Sequence, residues 1–284
     1  MLEGIGMKPL PPGHPSPEAS AMPATVRSFF DPATSSFTHV LHARGQAPCA
    51  VIDAVLGYDP ASGRTDTRLA DAVTTYIRTS GLRLDWLLET HVHADHLSAA
   101  RYLRDRLGGR IGIGARVWEV RHALAGRYGP FDEEPYDHLF GADEPFRIGS
   151  LEIRALAVPG HTPADIAYQV DGQLVFVGDT LFPPDVGTAR CDFPGGSARA
   201  LYRSLRRLLE LPPQTRLFMC HDYPPPGRAP VSECTVAEQL AHNIHLRAGL
   251  DEEAFVQMRT RRDATLAAPR LLAPSLRANL GARP

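Results

Sequence analysis

The residues most able to do chemistry in this sequence lie in one short segment. Three histidines and one aspartate fall within six positions, and they are His91, His93, Asp95 and His96. Imidazole and carboxylate groups together suit Zn²⁺, Fe²⁺ and Mn²⁺ as ligands, and they suit Cu⁺ poorly. A strand that delivers His91 and His93, followed by a turn that opens a helix at Asp95 and His96, would bring the four side chains to one point. The spacing favours a metal site over a solvated polar turn.

Three more candidate ligands follow apolar strands further along the chain. His161 stands in a tight turn after one strand, and Asp179 and His221 each end another. Burial of a lone ionisable group is unfavourable, so an apolar strand that ends in one such residue suits a ligand better than a core. Any one of the three could instead cap a loop, but their joint occurrence favours a shared site. Asp53 also ends a strand, and it either supports the site from behind or caps the following loop.

The hydrophobic periodicity predicts the elements that position these residues. Strands are predicted at 36–42, 49–53, 84–89, 111–113, 146–148, 151–158, 166–170, 173–177 and from 216, and helices at 66–80, 98–107, from 198, at 236–246 and at 252–262. Residues 117–143, rich in glycine, proline and aromatic residues, are predicted to form a packed surface loop that borders the site. This order of elements predicts two sheets packed face to face with helices outside.

Composition and charge are those of an ordinary globular protein. The 284 residues include 30 Lys and Arg against 32 Asp and Glu, a net charge of −2, so neither nucleic acid nor an anionic membrane is an expected partner. Residues 1–24 are proline-rich without an apolar signal-peptide core, and we predict a mobile leader followed by one catalytic domain, 25–284, with a short helical C-terminal tail. Four cysteines without a CxxC pair predict reduced thiols and a cytoplasmic protein. The oligomeric state stays open, with a homodimer as one option.

The type and order of these seven residues resemble the metallo-β-lactamase superfamily. The resemblance covers about residues 25 to 250, and it implies an α+β fold, the αββα sandwich of two mixed sheets with a metal site at one edge. A two-metal form of the site would use two ligand sets that share one aspartate. The first set is His91, His93 and His161, the second is Asp95, His96 and His221, and Asp179 bridges them. A bridging hydroxide would then attack a thioester, lactone or phosphate ester.

Finer features resemble the persulfide dioxygenase branch of this superfamily, and they lie in the segments 187–193, 198–202 and 220–223. Members of that branch oxidise glutathione persulfide with O2 to sulfite and glutathione, using one Fe(II). The resemblance implies that His91, His161 and Asp179 bind one iron per chain as a set of two histidines and one carboxylate. The remaining motif residues would form hydrogen bonds around the site and orient its ligands, and they are His93, Asp95, His96 and His221.

The same resemblance implies three residues that contact the substrate. Arg190 would pair with a carboxylate of glutathione, because a guanidinium fork suits that group. Thr162 and Tyr223 would line the pocket, with Tyr223 placed to form a hydrogen bond near the iron. Two structural alternatives stay open: Arg190 is a loop arginine paired with Asp192, or Tyr223 packs against the prolines at 224–226.

Other residues leave the substrate and the reaction open. Cys191 stands where the mitochondrial member has threonine, and it is either a reactive thiol or a buried small residue. Extra residues at 57–66 and 117–143 leave room for a thiol persulfide other than that of glutathione. The alternative reaction is that of a binuclear zinc thioesterase of the hydroxyacylglutathione hydrolase type, although those enzymes usually carry a longer basic helical tail. A third alternative is a metal-binding scaffold without catalysis, which the intact ligand set disfavours. His242 and His245, predicted on one helix face, complete no further metal site.

Overall fold

The structure is a computed structural model that describes residues 24–246 and 250–282. The predicted leader lies outside the described residues except for Ala24, which begins the first strand. The four cysteines are free and buried. Among the described helices, none combines the length and the apolar character that crossing a bilayer requires.

All nine predicted strands and all five predicted helices are present among the described residues, together with six strands and two helices that were not predicted. The strands are β1 (Ala24–Asp31), β2 (Ser36–Ala43), β3 (Pro48–Ile52), β4 (Val55–Asp59), β5 (Arg64–Asp66), β6 (Arg83–Leu88), β7 (Leu97–Ser98), β8 (Arg110–Gly114), β9 (His138–Phe140), β10 (Glu144–Ile148), β11 (Leu151–Ala157), β12 (Ile166–Val170), β13 (Leu174–Phe176), β14 (Arg216–Phe218) and β15 (Glu233–Thr235). The helices are α1 (Arg68–Thr79), α2 (Ala100–Leu107), α3 (Val117–Tyr128), α4 (Ala198–Leu209), α5 (Val236–His242), α6 (Glu252–Asp263) and α7 (Leu272–Asn279).

Two six-stranded mixed sheets form the centre of the molecule. The first has the order β1-β2-β3-β6-β8-β9, and the second has the order β10-β11-β12-β13-β14-β15. The first sheet is antiparallel from β1 to β3 and parallel from β3 to β9. In the second sheet β13 and β14 are parallel, whereas the other neighbours are antiparallel. A small sheet of β5, β4 and β7 lies beside them.

Apolar side chains fill the space between the two sheets and beneath the helices. Leu41 and Ile52 from the first sheet pack in one cluster with Tyr168 and Phe176 from the second. A second cluster joins the first sheet to α1, α2 and α3, and a third joins the second sheet to α4, α5 and α6. Each sheet therefore has one face on its partner and one face on helices, which confirms the predicted αββα sandwich.

The segment 117–143 is more regular than predicted. It contains α3 and the edge strand β9, and the helix buries Val117, Val120 and Leu124 at helical spacing. Gly126 within the helix and the glycines and prolines after it obscured this pattern, because glycine weakens a helical signal. The segment also lies behind the histidine motif, where the Tyr136 hydroxyl donates to the backbone oxygen of the last residue of α7.

The C-terminal region differs from the prediction at two helices. Helix α5 ends at His242 rather than at residue 246, because Asn243 adopts an extended conformation with ψ of 121°. His245 therefore lies beyond the helix and shares no helix face with His242. Helix α7 was not predicted, since Pro274 falls within it, but that proline occupies the first turn, where a missing N–H is tolerated.

Candidate metal centre

The seven candidate ligands lie at one edge of the sandwich, in loops that follow strands. The HxHxDH residues follow β6, His161 lies between β11 and β12, Asp179 follows β13 and His221 follows β14. Because β13 and β14 are parallel neighbours, their carboxyl ends meet at the same edge of the sheet. The fold therefore explains why residues distant in sequence meet here.

Asp179 lies at the centre of the group. Its Oδ2 is 3.7 Å from Nε2 of His91 and 3.6 Å from Nε2 of His161. Its Oδ1 is 3.3 Å from Nε2 of His221, which is also 3.3 Å from Oδ2 of Asp95. Ligand atoms within 4.8 Å of one another form two sets of interest, which are His91 with His161 and Asp179, and Asp95 with His96 and His221.

Buried atoms without a hydrogen-bond partner show that this cluster suits a cation. Five such atoms belong to the motif residues, and they are Nε2 of His91, Nδ1 of His93, Nε2 of His96, Oδ1 of Asp179 and Nε2 of His221. A buried polar atom without a partner is unfavourable by about 1–3 kcal/mol. Several lone pairs gathered in one place are therefore best explained by a metal ion, and the donor set fits Fe(II) or Zn²⁺.

The other ring nitrogen of each histidine is held by the protein. Nδ1 of His161 donates to the backbone oxygen of Arg190 at 2.8 Å, and Nδ1 of His96 lies 3.2 Å from that of Leu97. A carbonyl oxygen can only accept, so in both residues the proton is on Nδ1 and the lone pair of Nε2 is free for a metal. Such partners fix the tautomer and orientation of metal-binding histidines.

The imidazole of His93 lies between two buried carboxylates. Its Nε2 is 3.1 Å from Oδ1 of Asp53 and 3.1 Å from Oε2 of Glu89. Burial alone would lower the pKa of His93, but the charges and hydrogen bonds of these carboxylates outweigh it and raise the pKa well above its usual value. Burial raises the pKa of Glu89. Asp53 thus supports the site by its contact with His93, and Glu89 joins it although the sequence shows Glu89 only as the end of a strand.

Burial has the opposite effect on two other imidazoles. It lowers the pKa of His91 well below its usual value, and the charges of neighbouring imidazoles add to this effect. Burial, followed by the charge of His93, lowers the pKa of His96 to about 3. Both rings are therefore neutral near pH 7, which is the state that binds a metal.

Close backbone contacts fix the loops that carry the ligands. Gly178, just before Asp179, has a φ of +54°, and a Cβ added there would lie 2.6 Å from Oγ1 of Thr90. That hydroxyl lies 3.0 Å from Oδ2 of Asp53 and 2.9 Å from Nδ1 of His91. Because the carboxylate only accepts, Thr90 donates to Asp53 and accepts from His91. The loop after β13 and the histidine motif thus meet at a position that only glycine fits.

A cavity of about 590 Å³ opens onto this cluster. Its lining includes Asp95, His161, Asp179, Phe182, Phe193 and Tyr223. Ligand-type residues therefore form one end of the cavity, and aromatic side chains flank them. The arrangement suits a small molecule that presents one reactive atom to the metal and an apolar or extended body to the walls.

The predicted substrate-contacting residues lie in different surroundings. Arg190 lines the cavity, but its guanidinium forms a bidentate ion pair with Asp192 and donates to the backbone oxygen of Ala267 at 2.7 Å. The ion pair was one of the alternatives for Arg190, and it leaves few donors for a substrate carboxylate. Thr162 is buried and its hydroxyl donates to Asp165, so it fixes the His161 turn rather than facing the cavity.

Tyr223 lines the cavity as expected and is 48% exposed. Its ring stacks on that of His221 with centroids 5.6 Å apart and an interplanar angle of 6°. Cys191 is buried, and burial raises the pKa of its thiol. A thiol in that environment is unreactive, so the structure favours the buried small residue over the reactive thiol.

Comparisons with known proteins agree with this geometry. The metallo-beta-lactamase superfamily profile matches residues 37–221. A probable metallo-hydrolase of Burkholderia pseudomallei is 51% identical over 272 residues, which are 91% of this chain and 92% of that protein. Glyoxylase B2 of Dictyostelium discoideum is 45% identical over 245 residues, 82% of each protein.

Two relatives named ETHE1 are more distant. The human mitochondrial persulfide dioxygenase ETHE1 is 31% identical over 206 residues, which are 72% of this chain and 70% of that one. The crystal structure of ETHE1 from Myxococcus xanthus matches with a TM-score of 0.72 and 28% identity, and the match covers 90% of this chain and 98% of that one. The motif, the fold and these matches together show that the chain belongs to the metallo-β-lactamase superfamily.

Proposed function

We propose that this protein is a mononuclear non-haem Fe(II) dioxygenase that oxidises glutathione persulfide, or a closely related thiol persulfide, with O2. The observation that carries the proposal is the set of His91, His161 and Asp179, whose ligand atoms lie within 4.8 Å of one another. Two histidines and one carboxylate are the set that binds Fe(II) in oxygenases and leaves positions open for O2 and a substrate atom. Similarity to the human persulfide dioxygenase supports the same reaction.

The position of His93 supports one iron rather than a pair of equal metals. Its ring nitrogens lie within 4.8 Å of ligand atoms of Asp53 and Glu89, and of His96 and Cys220. His93 does not form such a set with His91 and His161. A two-metal site of the kind outlined from the sequence would use His93 in the first ligand set. In the proposed enzyme, His93 orients its neighbours and does not bind the iron.

The reaction converts one persulfide, one O2 and one water into glutathione, sulfite and two protons. The persulfide loses four electrons, and O2 accepts them. Bound Fe(II) would supply the redox chemistry and a position for the persulfide sulfur, held by His91, His161 and Asp179. Nε2 of His221, between Asp95 and Asp179, is placed to hold a proton released by the reaction.

The side chains that line the cavity would contact the substrate. Phe182 and Phe193 place apolar rings beside His221 and His161, with centroids 6.0 and 5.3 Å apart, at the metal end of the cavity. Tyr223 offers its hydroxyl to the substrate beside His221, with which its ring stacks. Arg190 shapes the wall, because its guanidinium holds the backbone of Ala267 at the cavity.

The test is a metal count paired with an oxygen electrode. Protein purified without air is expected to carry one iron per chain and, with glutathione persulfide, to consume one O2 for each sulfite formed. Two zinc ions per chain, with thioester cleavage and no O2 uptake, would reverse the proposal. The buried free thiols are those of a reducing compartment, and we propose that the enzyme acts in the cytoplasm.

A second candidate is a binuclear zinc hydrolase that cleaves glutathione thioesters. The observation that favours it is the set of Asp95, His96 and His221, whose ligand atoms also lie within 4.8 Å of one another. Oδ1 of Asp179, which belongs to the first set, lies 3.3 Å from Nε2 of His221, so this aspartate is placed between the two sets. The names of the relatives in Burkholderia and Dictyostelium point the same way. The metal count separates the two candidates directly.

A further inference from the structure

A short segment between α6 and α7 forms one wall of the cavity. Residues 264–270 follow α6 directly, and the first five of them are exposed. Leu266, Ala267, Pro269 and Arg270 line the cavity, whose other end carries the candidate metal ligands. We call this segment the strap. Because the strap is part of the wall, its position decides how much room a substrate has.

Both ends of the strap are fixed to the rest of the protein. Asp263, the last residue of α6, accepts from the N–H of Cys191 at 2.8 Å and from the guanidinium of Arg259 at 2.6 Å. At the other end Leu271 is buried, and Leu272 packs against the apolar cluster that joins the first sheet to its helices. The middle of the strap is therefore the part that can move while both helices stay in place.

One side chain ties this middle part to the second half of the cavity wall. Nη1 of Arg190 donates to the backbone oxygen of Ala267 at 2.7 Å, and Nη2 lies 3.5 Å from that of Leu266. Within the described structure, every other hydrogen bond of residues 264–270 is made with α6 or α7. A segment held by so few contacts opens at a low free-energy cost, and mobile lids are drawn from such segments.

Arg190 is itself held firmly in place. Its guanidinium pairs with both carboxylate oxygens of Asp192, at 2.6 and 2.7 Å, and its Cζ lies 5.2 Å from the ring centroid of Phe193. Its backbone oxygen accepts from Nδ1 of His161 at 2.8 Å. The residue that ties the strap is thus attached to a candidate metal ligand, so it connects the two ends of the cavity.

We propose that Arg190 is a positioning residue that holds the strap closed over the cavity, and that it acts on the substrate through the strap. The substrate enters when the middle of the strap lifts, and the hydrogen bond to Ala267 forms again once the substrate is inside. The guanidinium therefore serves the backbone of the strap instead of a substrate carboxylate. This inference goes beyond the proposed reaction, because a closing strap would serve a hydrolase equally well.

The experiment is hydrogen exchange measured by mass spectrometry on the full chain without metal, so that turnover plays no part. In Arg190→Ala, exchange in residues 264–271 is expected to be about 10- to 100-fold faster than in wild type, because a hydrogen bond from a charged donor is lost. Arg190→Lys keeps one charged donor and should give an intermediate rate.

Arg207→Ala is the matched control. Arg207 also donates to a backbone oxygen, that of Ala157 at 3.1 Å, and it also pairs with an aspartate, Asp143, but it does not line the cavity. This variant should leave exchange in the strap at the wild-type rate. Equal exchange of the strap in Arg190→Ala, Arg190→Lys and Arg207→Ala would overturn the role of Arg190.

A second measurement tests whether the strap closes the cavity. Phenanthroline, a planar chelator, must enter the cavity to reach Zn²⁺ bound by the ligand residues. It should therefore remove Zn²⁺ faster from Arg190→Ala than from wild type or Arg207→Ala. Faster exchange of the strap in Arg190→Ala without faster removal of zinc would overturn the closure of the cavity.

Discussion

We predict that Asn279→Ala lowers the stability of the protein and weakens metal binding, although Asn279 is not itself a ligand. The side chain lies at the end of α7, where Nδ2 donates to the backbone oxygens of His93 at 2.9 Å and His96 at 3.0 Å. Its Oδ1 accepts from the N–H of Ser98 at 2.8 Å. One amide group thus holds both ends of the segment that carries the second and third histidines of the motif. Alanine would leave two carbonyl oxygens and one N–H without this partner.

The size of the effect follows from these three hydrogen bonds. Each contributes about 0.5–1.5 kcal/mol, and a buried group left without a partner adds to the loss. We expect the free energy of unfolding of the metal-free protein to fall by about 2–4 kcal/mol. Because residues behind metal ligands typically change metal affinity by about 10- to 100-fold, we expect weaker metal binding in that range.

Urea unfolding and competition with a chelator measure the two effects. Asn243→Ala is a matched control, since Asn243 is also buried, donates to Gly187 at 3.2 Å and to Gln239 at 2.6 Å, and accepts from His245 at 2.8 Å. This control should lose similar stability while keeping its metal affinity within about two-fold, because it touches no ligand segment. Equal loss of metal affinity in both variants would refute the reasoning.

Three further predictions test other parts of the account. Asp179→Ala should abolish iron retention in a metal assay whereas His221→Ala should keep most of the iron, and equal loss would favour a two-metal site. Burial lowers the pKa of His39 to about 4 from its usual 6.5. Between pH 6.5 and pH 4 the unfolded chain therefore binds more protons at this residue than the folded protein does. The free energy of unfolding should fall by about 3 kcal/mol as the pH drops across this range. His39→Gln should flatten that pH dependence of urea unfolding. Gly178→Ala should lower the free energy of unfolding by more than Gly172→Ala, which has a similar φ of +67° but nothing within 4 Å of an added Cβ; equal losses would contradict the close contact.

The candidate ligand residues could be selected from the sequence because their signals are local. The HxHxDH spacing is read from six consecutive residues, and Asp179 and His221 stand out as single ionisable residues after apolar strands. The sandwich followed from the order of the predicted strands and helices, although α3 and α7 were not among them. For the candidate ligands, their residue types, their spacing and their location after apolar strands were enough to select them, without knowledge of their contacts.

The contacts that tune the site were not predictable from such patterns. Asn279 reaches His93 across 186 positions and His96 across 183, and nothing near residue 279 indicates that partner. Glu89 became part of the site only when the fold placed Asp53 on the other side of the same imidazole. Arg190 was expected to face a substrate carboxylate, but the neighbouring Asp192 competes for the same guanidinium.

Irregular segments were the least predictable part of the fold. Helix α3 buries the charged Arg121 among its apolar residues and leaves Trp118 45% exposed, so its sequence pattern does not show which face is buried. The end of α5 depends on Asn243, whose side chain donates to Gly187 in a distant loop. In both places tertiary packing, rather than local propensity, decides where the helix lies.

The most direct test of the central claim is an anomalous difference map at the iron edge, from crystals grown without air. We predict one iron peak in contact with His91, His161 and Asp179. Two iron peaks of equal height, one in that set and one between Asp95, His96 and His221, would contradict the mononuclear centre on which the proposed chemistry depends.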